Sequence, residues 1–415
     1  MVVFPVSHSA GSPPRSGVPA VHSHKKQYEV VGHHTPGMHT TALVIGGGAT
    51  GVGVARDLAL RGVETTLVER GALAVGTTGR SHGVLHSGAR YAEADPDDAA
   101  ACLAENRVLR EIAPACIEAT GGYFLQLDGD DPAYFERKRD ACESLGMAVE
   151  TLSDAELSAR VPAASDRVER ALAVPDGVVS PSRLVVATAA AARDAGATLH
   201  THSPVEDVHV SDGVVEGVTV GGRLDATVDA DVVVNATGPW AERCGALAGV
   251  SVPMAPTRGV MVGVDNPGVD AVLNRCRPPA DGDIVVPRGD EAVLGTTSVA
   301  VDDPDDFERS DREVTRTVAE CAAMCPGVDS EVRRTYWGVR PLYAPDEATR
   351  DDARAISRGV ALLDHAADGV AGFYTVVGGK LTTYRRMAEA TADWVCDRLG
   401  VDAACRTADR PLPGR

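Results

Sequence analysis

Lysine is almost missing from this chain. Four of its 40 basic residues are Lys (Lys25, Lys26, Lys138 and Lys380) and the other 36 are Arg. Against 59 acidic residues the net charge is −19. A surface this acidic repels polyanions, so a nucleic-acid partner is excluded. An Asp-rich, Lys-poor surface suits a high-salt cytoplasm, where screening weakens self-repulsion; a GC-biased genome would also favour Arg over Lys. Aromatic residues make up only 4% of the chain, so its core must be built mostly from Val, Leu and Ala. No apolar run approaches the ~20 residues of a membrane-spanning helix. Nine Cys are scattered (102, 116, 142, 244, 276, 321, 325, 396, 405) without a C-x-x-C or a paired metal-ligand spacing. No metal site and no disulfide framework is therefore expected, and the compartment reads as cytoplasmic. Cys321 and Cys325 stand i,i+4 on an expected helix, either as two small buried thiols or as a redox pair.

With 415 residues and 44% apolar content, the chain can form two domains, or one with a second inserted. Residues 1–37 hold five His among Pro, Ser and Gly but no signal-peptide core; they read as a disordered leader, with Met38 as the expected true start. Ala42–Ile45 is a continuous apolar run, as in a strand buried on both faces. Residues 52–61 show helical spacing and stop at Gly62, and 64–68 is the next strand: a βαβ unit. Ser180-Pro181 opens a helix ending at Gly196. Strands follow over 198–201, 205–210, 214–220 and 231–234, with Asp212-Gly213 turning the middle two into a hairpin. Residues 253–298 alternate short strands and turns, as in an antiparallel sheet. A charged loop (302–311), a helix over 311–324 stopped by Pro326-Gly327, and a last helix from about 380 to 399 complete the pattern.

Gly46-Gly47-Gly48-Ala49-Thr50-Gly51 lies between the first strand and helix. Gly46 makes the tight turn, Gly48 admits a pyrophosphate, and Gly51 lets the helix approach the sheet. The helix N-terminus, with Ala49 and Thr50, offers N–H groups and partial positive charge to phosphates. Glu69 follows at the end of the second strand, where a carboxylate accepts from ribose hydroxyls and disfavours a 2′-phosphate. These residues leave NAD and FAD open.

The small, glycine-rich stretch Thr77-Thr-Gly-Arg-Ser-His-Gly-Val-Leu-His-Ser-Gly-Ala-Arg-Tyr91 can lie against a flat ring system. With it stand Ala55-Arg-Asp57, Leu60-Arg-Gly62, Pro175-Asp-Gly177, Asn235-Ala-Thr-Gly238, Trp337-Gly-Val-Arg-Pro-Leu342 and Gly378-Gly-Lys-Leu-Thr-Thr-Tyr-Arg385. On these motifs the chain resembles FAD-dependent glycerol-3-phosphate dehydrogenases, nearest to the A subunits of the anaerobic enzymes, over about Thr40 to Gly414. The resemblance implies an α/β fold of the glutathione-reductase and amino-acid-oxidase type: an FAD-binding Rossmann-like domain (40–110, 170–245, 335–400) with an inserted antiparallel-sheet substrate domain (111–169, 246–334) and a C-terminal tail (401–415). It implies FAD held further by Arg70, Thr78, Arg80, Ser81, His82, Gly83, Val205, Ala236, Thr237, Gly238, Gly378, Gly379, Lys380, Leu381 and Thr382. A helix starting near Gly379 would stabilise negative charge on the reduced flavin.

The implied reaction is oxidation of sn-glycerol 3-phosphate to dihydroxyacetone phosphate. Electrons pass to a quinone through partner flavoprotein and iron–sulfur subunits, in the cytoplasm or at the inner face of the membrane. Arg90, Arg340 and Lys380 would hold the phosphate; for Arg90 a structural ion pair is the alternative. His86 is the candidate base, or else a residue that only packs beside the flavin. Arg258 stands where many relatives carry Lys, which puts its phosphate contact in doubt. The family's cysteine-rich extension has no counterpart before Arg415, so no iron–sulfur cluster is expected in this chain. An oxidase of an amine or another 2-hydroxy acid, and a non-catalytic FAD-binding paralogue, are the rival readings.

Overall fold

The computed structural model describes residues 37–345 and 359–414. Apart from Gly37, the expected leader lies outside the described residues. Strand Met38–Ile45 runs parallel to Thr65–Glu69 on one side and to Ala226–Asn235 on the other. Residues 42–45 are buried, as a strand covered on both faces requires. Thr198–Thr201 adds beyond Thr65–Glu69, and Phe373–Gly378 pairs in parallel with the end of Ala226–Asn235. The hairpin Val205–Ser211 and Val214–Val220 closes the far edge; its turn residues Asp212 and Gly213 both have positive φ, 50° and 77°, as a tight hairpin turn needs. Val360–Asp364 completes this sheet of eight.

Helices Ala49–Leu60, Pro181–Asp194 and Tyr384–Leu399 share one apolar cluster with this sheet. The cluster is Val, Leu and Ala for the most part, and each large aliphatic side chain in it contributes about 1.5–3 kcal/mol. The stretch 401–414, expected as a tail, belongs to the same core. Leu412 is buried, its N–H donates to Ile112 O at 2.6 Å, and the buried Arg56 donates to the carbonyls of Thr407 and Arg410.

The second sheet has nine strands. Thr257–Asp265 pairs with Glu291–Gly295 on one side and along nearly its whole length with Val332–Arg340 on the other. Ile284–Arg288, Val272–Arg275, Gly122–Leu127, Val168–Val174 and Glu150–Ser153 continue it, and Val299–Ala300 is a short edge. The pairing is antiparallel except that Val272–Arg275 runs parallel to Gly122–Leu127. Two expected boundaries therefore move. Strand Val332–Arg340 belongs to this sheet, so the crossing comes after 340 rather than at 335, and Val168–Val174 extends the 111–169 segment to 174. Val84–Leu85, Ile117–Glu118 and Gly177–Val179 form a third, three-stranded sheet.

Candidate active site

A cavity of about 460 Å³ opens at the carboxyl ends of four parallel strands: it is lined by Ile45, Glu69, Ala236 and Gly378, among others. Gly46 has φ 119°, and a Cβ there would come within 2.5 Å of Ala236 O; a Cβ on Gly51 would come within 1.9 Å of Gly46 O. The helix Ala49–Leu60 starts on Gly48 with no side-chain cap bond and no acid in its first turn. The partial positive charge of its first turn is thus not offset by an acid, which fits a dinucleotide pyrophosphate. Glu69 lines the cavity and also braces the loop, accepting from Gly47 N and Gly71 N at 2.6 Å each. Thr78 Oγ1 accepts from Ala49 N at 3.1 Å.

Of the residues expected to hold the cofactor, all but Gly51, His82, Gly83 and Thr382 line this cavity. Those four are placed as follows. Gly51 packs under the loop. Gly83, at φ 77°, sits against Arg288 and Val179 O, where a Cβ would not fit. Thr382 is buried and accepts from His86 N at 3.0 Å. His82 lines a second cavity instead.

This second cavity, about 330 Å³, shares Thr77, Arg80 and Ser81 with the first and lies between the 77–98 segment and the second sheet. His86, Arg90 and Arg340 all line it. His86 is 7% exposed, and its ring meets His82 (5.8 Å) and Tyr91 (5.5 Å) edge-on. Arg340 donates to Thr297 O (2.9 Å), Thr296 Oγ1 (3.3 Å) and Thr257 Oγ1 (3.4 Å). Arg90 lies 3.6 Å from the buried carboxylate of Asp283, so the ion-pair alternative coexists with its place in the cavity wall. Lys380 lines the first cavity. Its ammonium, however, pairs with Asp98 and lies 4.4 Å from the Tyr91 ring centre, and both of those residues line the second.

Arg258 is turned away. It pairs with Glu313 and stacks at 5.2 Å on Trp337, while its strand neighbours Gly259 and Met261 line the cavity. Sequence reasoning missed Asp98, Tyr91 and Asp176. It also passed over Lys138, although lysine is so scarce: Lys138 is 1% exposed, paired with Glu93, and donates to Ala89 O at 3.0 Å beside Arg90. Cys321 and Cys325 are buried free thiols; burial pushes Cys325 up to about 11 and Cys321 higher still, which makes both poor nucleophiles. Among the described residues, no group of three or more His, Cys, Asp or Glu is placed to hold a metal, and no helix is long and apolar enough to cross a membrane.

The family described as FAD dependent oxidoreductase matches residues 41–394. The chain is 48% identical over 388 residues to the A1 subunit of anaerobic glycerol-3-phosphate dehydrogenase from Haloferax volcanii, covering 90% of this chain and 66% of that protein. It is 41% identical over 379 residues to the A subunit of the Escherichia coli enzyme, covering 90% and 70%. The chain thus spans about two thirds of the length of these relatives. Among solved structures, glycine oxidase from Geobacillus kaustophilus superposes with a TM-score of 0.73 at 21% identity, over 91% of this chain and 99% of that one. The FAD complex of glycerol-3-phosphate dehydrogenase from Bacillus halodurans gives 0.68 at 24%, over 90% and 68%.

Proposed function

The chain belongs to the FAD-dependent oxidoreductase family, alongside the A subunits of anaerobic glycerol-3-phosphate dehydrogenase, and from that premise we propose that it oxidises sn-glycerol 3-phosphate to dihydroxyacetone phosphate. One observation carries the reading: His86, Arg90 and Arg340 line one cavity, Lys380 stands at its border, and that cavity shares a wall with the dinucleotide cleft. FAD, bound along the glycine loop, Glu69 and the 236–238 and 378–381 segments, supplies the two-electron acceptor.

The chain's own residues do the rest. Arg340, already oriented by three oxygen acceptors, presents its remaining N–H donors to the substrate phosphate, and Arg90 adds a second cation. Lys380 acts as a point charge shared between Asp98 and the incoming anion. His86 Nε2 or Nδ1 takes the proton of the C2 hydroxyl; the neutral imidazole is the competent form, so the rate falls as acid protonates it. The edge contacts from His82 and Tyr91 limit the ring's exposure to bulk water. The relatives are named as subunits, which supports electron exit through partner subunits; that these are a flavoprotein and an iron–sulfur protein passing electrons to a quinone at the inner membrane face is part of the proposal.

The test is a substrate panel with a dye acceptor. The FAD-loaded protein should use glycerol 3-phosphate at least ~100-fold better, by kcat/KM, than glycine or lactate, which carry no phosphate for Arg340, Arg90 and Lys380 to hold. A preference for an amino acid would overturn the reading.

A further inference from the structure

His86 sits just past the end of a two-residue strand, Val84–Leu85. The backbone around it is bound by side chains from three separate elements. Thr382 Oγ1 accepts from His86 N at 3.0 Å. Asn106 Nδ2 donates to Leu85 O at 3.3 Å and to His86 O at 3.2 Å. Asp176 Oδ1 accepts from both Ser87 N and Ser87 Oγ, at 2.7 Å each. The peptide planes before and after His86 are both held. Since those planes are rigid, φ and ψ of His86 are fixed, and with them the direction in which its side chain leaves the backbone.

Asp176 is the costly member of this set. It is 2% exposed and lines neither cavity, so contact with substrate or cofactor does not account for it. A buried carboxylate is tolerated only when its oxygens are bonded and its charge is balanced. Asn274 Nδ2 reaches Asp176 Oδ2 at 3.4 Å, and Arg110 donates to Asp176 O (2.8 Å), Pro175 O (3.1 Å) and Asn106 Oδ1 (2.7 Å). Burial raises the carboxyl above its usual value, and the two Ser87 bonds oppose that rise. A carboxylate is acceptor-only, which suits a residue that must receive an N–H and an O–H on one oxygen.

We propose that Asp176 is a positioning residue: by clamping Ser87 it fixes the backbone that presents the His86 ring to the substrate cavity. This rests on the reading of His86 as the proton acceptor. It assigns a task to the Asp of the Pro175-Asp176-Gly177 motif.

The test uses the FAD-loaded protein reduced anaerobically by glycerol 3-phosphate. Asp176→Ala should slow reduction at saturating substrate by about 100-fold, the cost of a misplacement near 1 Å, with the half-saturating concentration within about threefold. Asp176→Asn, which keeps an acceptor for Ser87, should recover most of that loss. Should Asp176→Ala not fold, Ser87→Ala carries the test: it removes one of the two bonds and should slow the saturated rate by a smaller factor. A saturated rate unchanged in Asp176→Ala, or in Ser87→Ala where it carries the test, or a loss confined to half-saturation, overturns the proposal. The ¹⁵N ring signals of His86, identified by their loss in His86→Asn and read without substrate, separate this from a failure of the functional reading. A ring signal that broadens or splits in the Asp176 or Ser87 variant supports positioning even if wild-type protein is not reduced by glycerol 3-phosphate; an unaltered signal overturns it.

Discussion

Arg340 reaches its place in the cavity wall through strand register. It lies opposite Thr257, whose hydroxyl is one of its three acceptors, while Arg258 lies opposite Val339 and points to the other face of the same strand. A one-residue step reverses the face, so a motif that names a cation in a strand does not say which side it serves. Motifs named the cations at 90, 340 and 380, but the face that Arg258 serves follows only from its register in the sheet. For Arg340 the planar fork matters as much as the charge. Arg340→Lys should raise KM for glycerol 3-phosphate at least ~10-fold with a smaller change in kcat, read by steady-state kinetics. A fall confined to kcat would mean that Arg340 acts on the reacting carbon and not on the phosphate.

At the scale of elements, the loop and helix that open the chain's first sheet were readable because their signals are local: a buried apolar run, three glycines at fixed offsets, then helical spacing. Gly51 shows how tight that arrangement is. With backbone 1.9 Å from where its Cβ would sit, Gly51→Ala must push the helix from the loop, and the purified protein should hold less than ~10% of the wild-type FAD content by absorbance. Full occupancy would contradict the close approach. Other elements were not legible. The helix Pro96–Ile112 has Asp95 as a bonded cap and Pro96 at its first position, but its inward face buries Glu105 and Asn106, which breaks the apolar stripe that a sequence reading follows. Those polar residues serve long-range partners: Glu105 pairs with Arg385, and Asn106 holds the His86 segment. Strands of two or three residues, such as Val84–Leu85 and Gly177–Val179, carry too short a period to be seen.

On the scale of the whole molecule, the acidic loop that follows Val299–Ala300 reaches from the second sheet to the mouth of the dinucleotide cavity. There Asp305 accepts from Arg70, Arg243 and the Trp240 indole, and Asp303 pairs with Arg243. In sequence this was only a charged loop, because the partners of Asp305 come from residues 62 to 235 positions away. The clasp is half-exposed and ionic, so salt screens it. Asp305→Ala should speed FAD release, followed by flavin fluorescence, and should reduce the dependence of that release on salt; release at the wild-type rate would show that the clasp leaves the cofactor alone. Its pH dependence has a definite sign. Burial opposes ionisation of Asp305, but the bonds from Arg70 and Trp240 outweigh it and hold the carboxyl below its usual 3.8. The clasp's contribution is therefore complete at neutral pH and is lost only as pH falls below 3.8 through the lower folded value. The two-sheet plan joins a cofactor cleft to a cationic cavity through one shared wall, and that junction is the basis for the proposed chemistry. Its most direct test is anaerobic addition of glycerol 3-phosphate to the purified, FAD-loaded protein while its absorbance is recorded. The flavin band should bleach with about one equivalent of substrate, yielding dihydroxyacetone phosphate; a flavin that dithionite bleaches but excess glycerol 3-phosphate leaves oxidised would contradict the account.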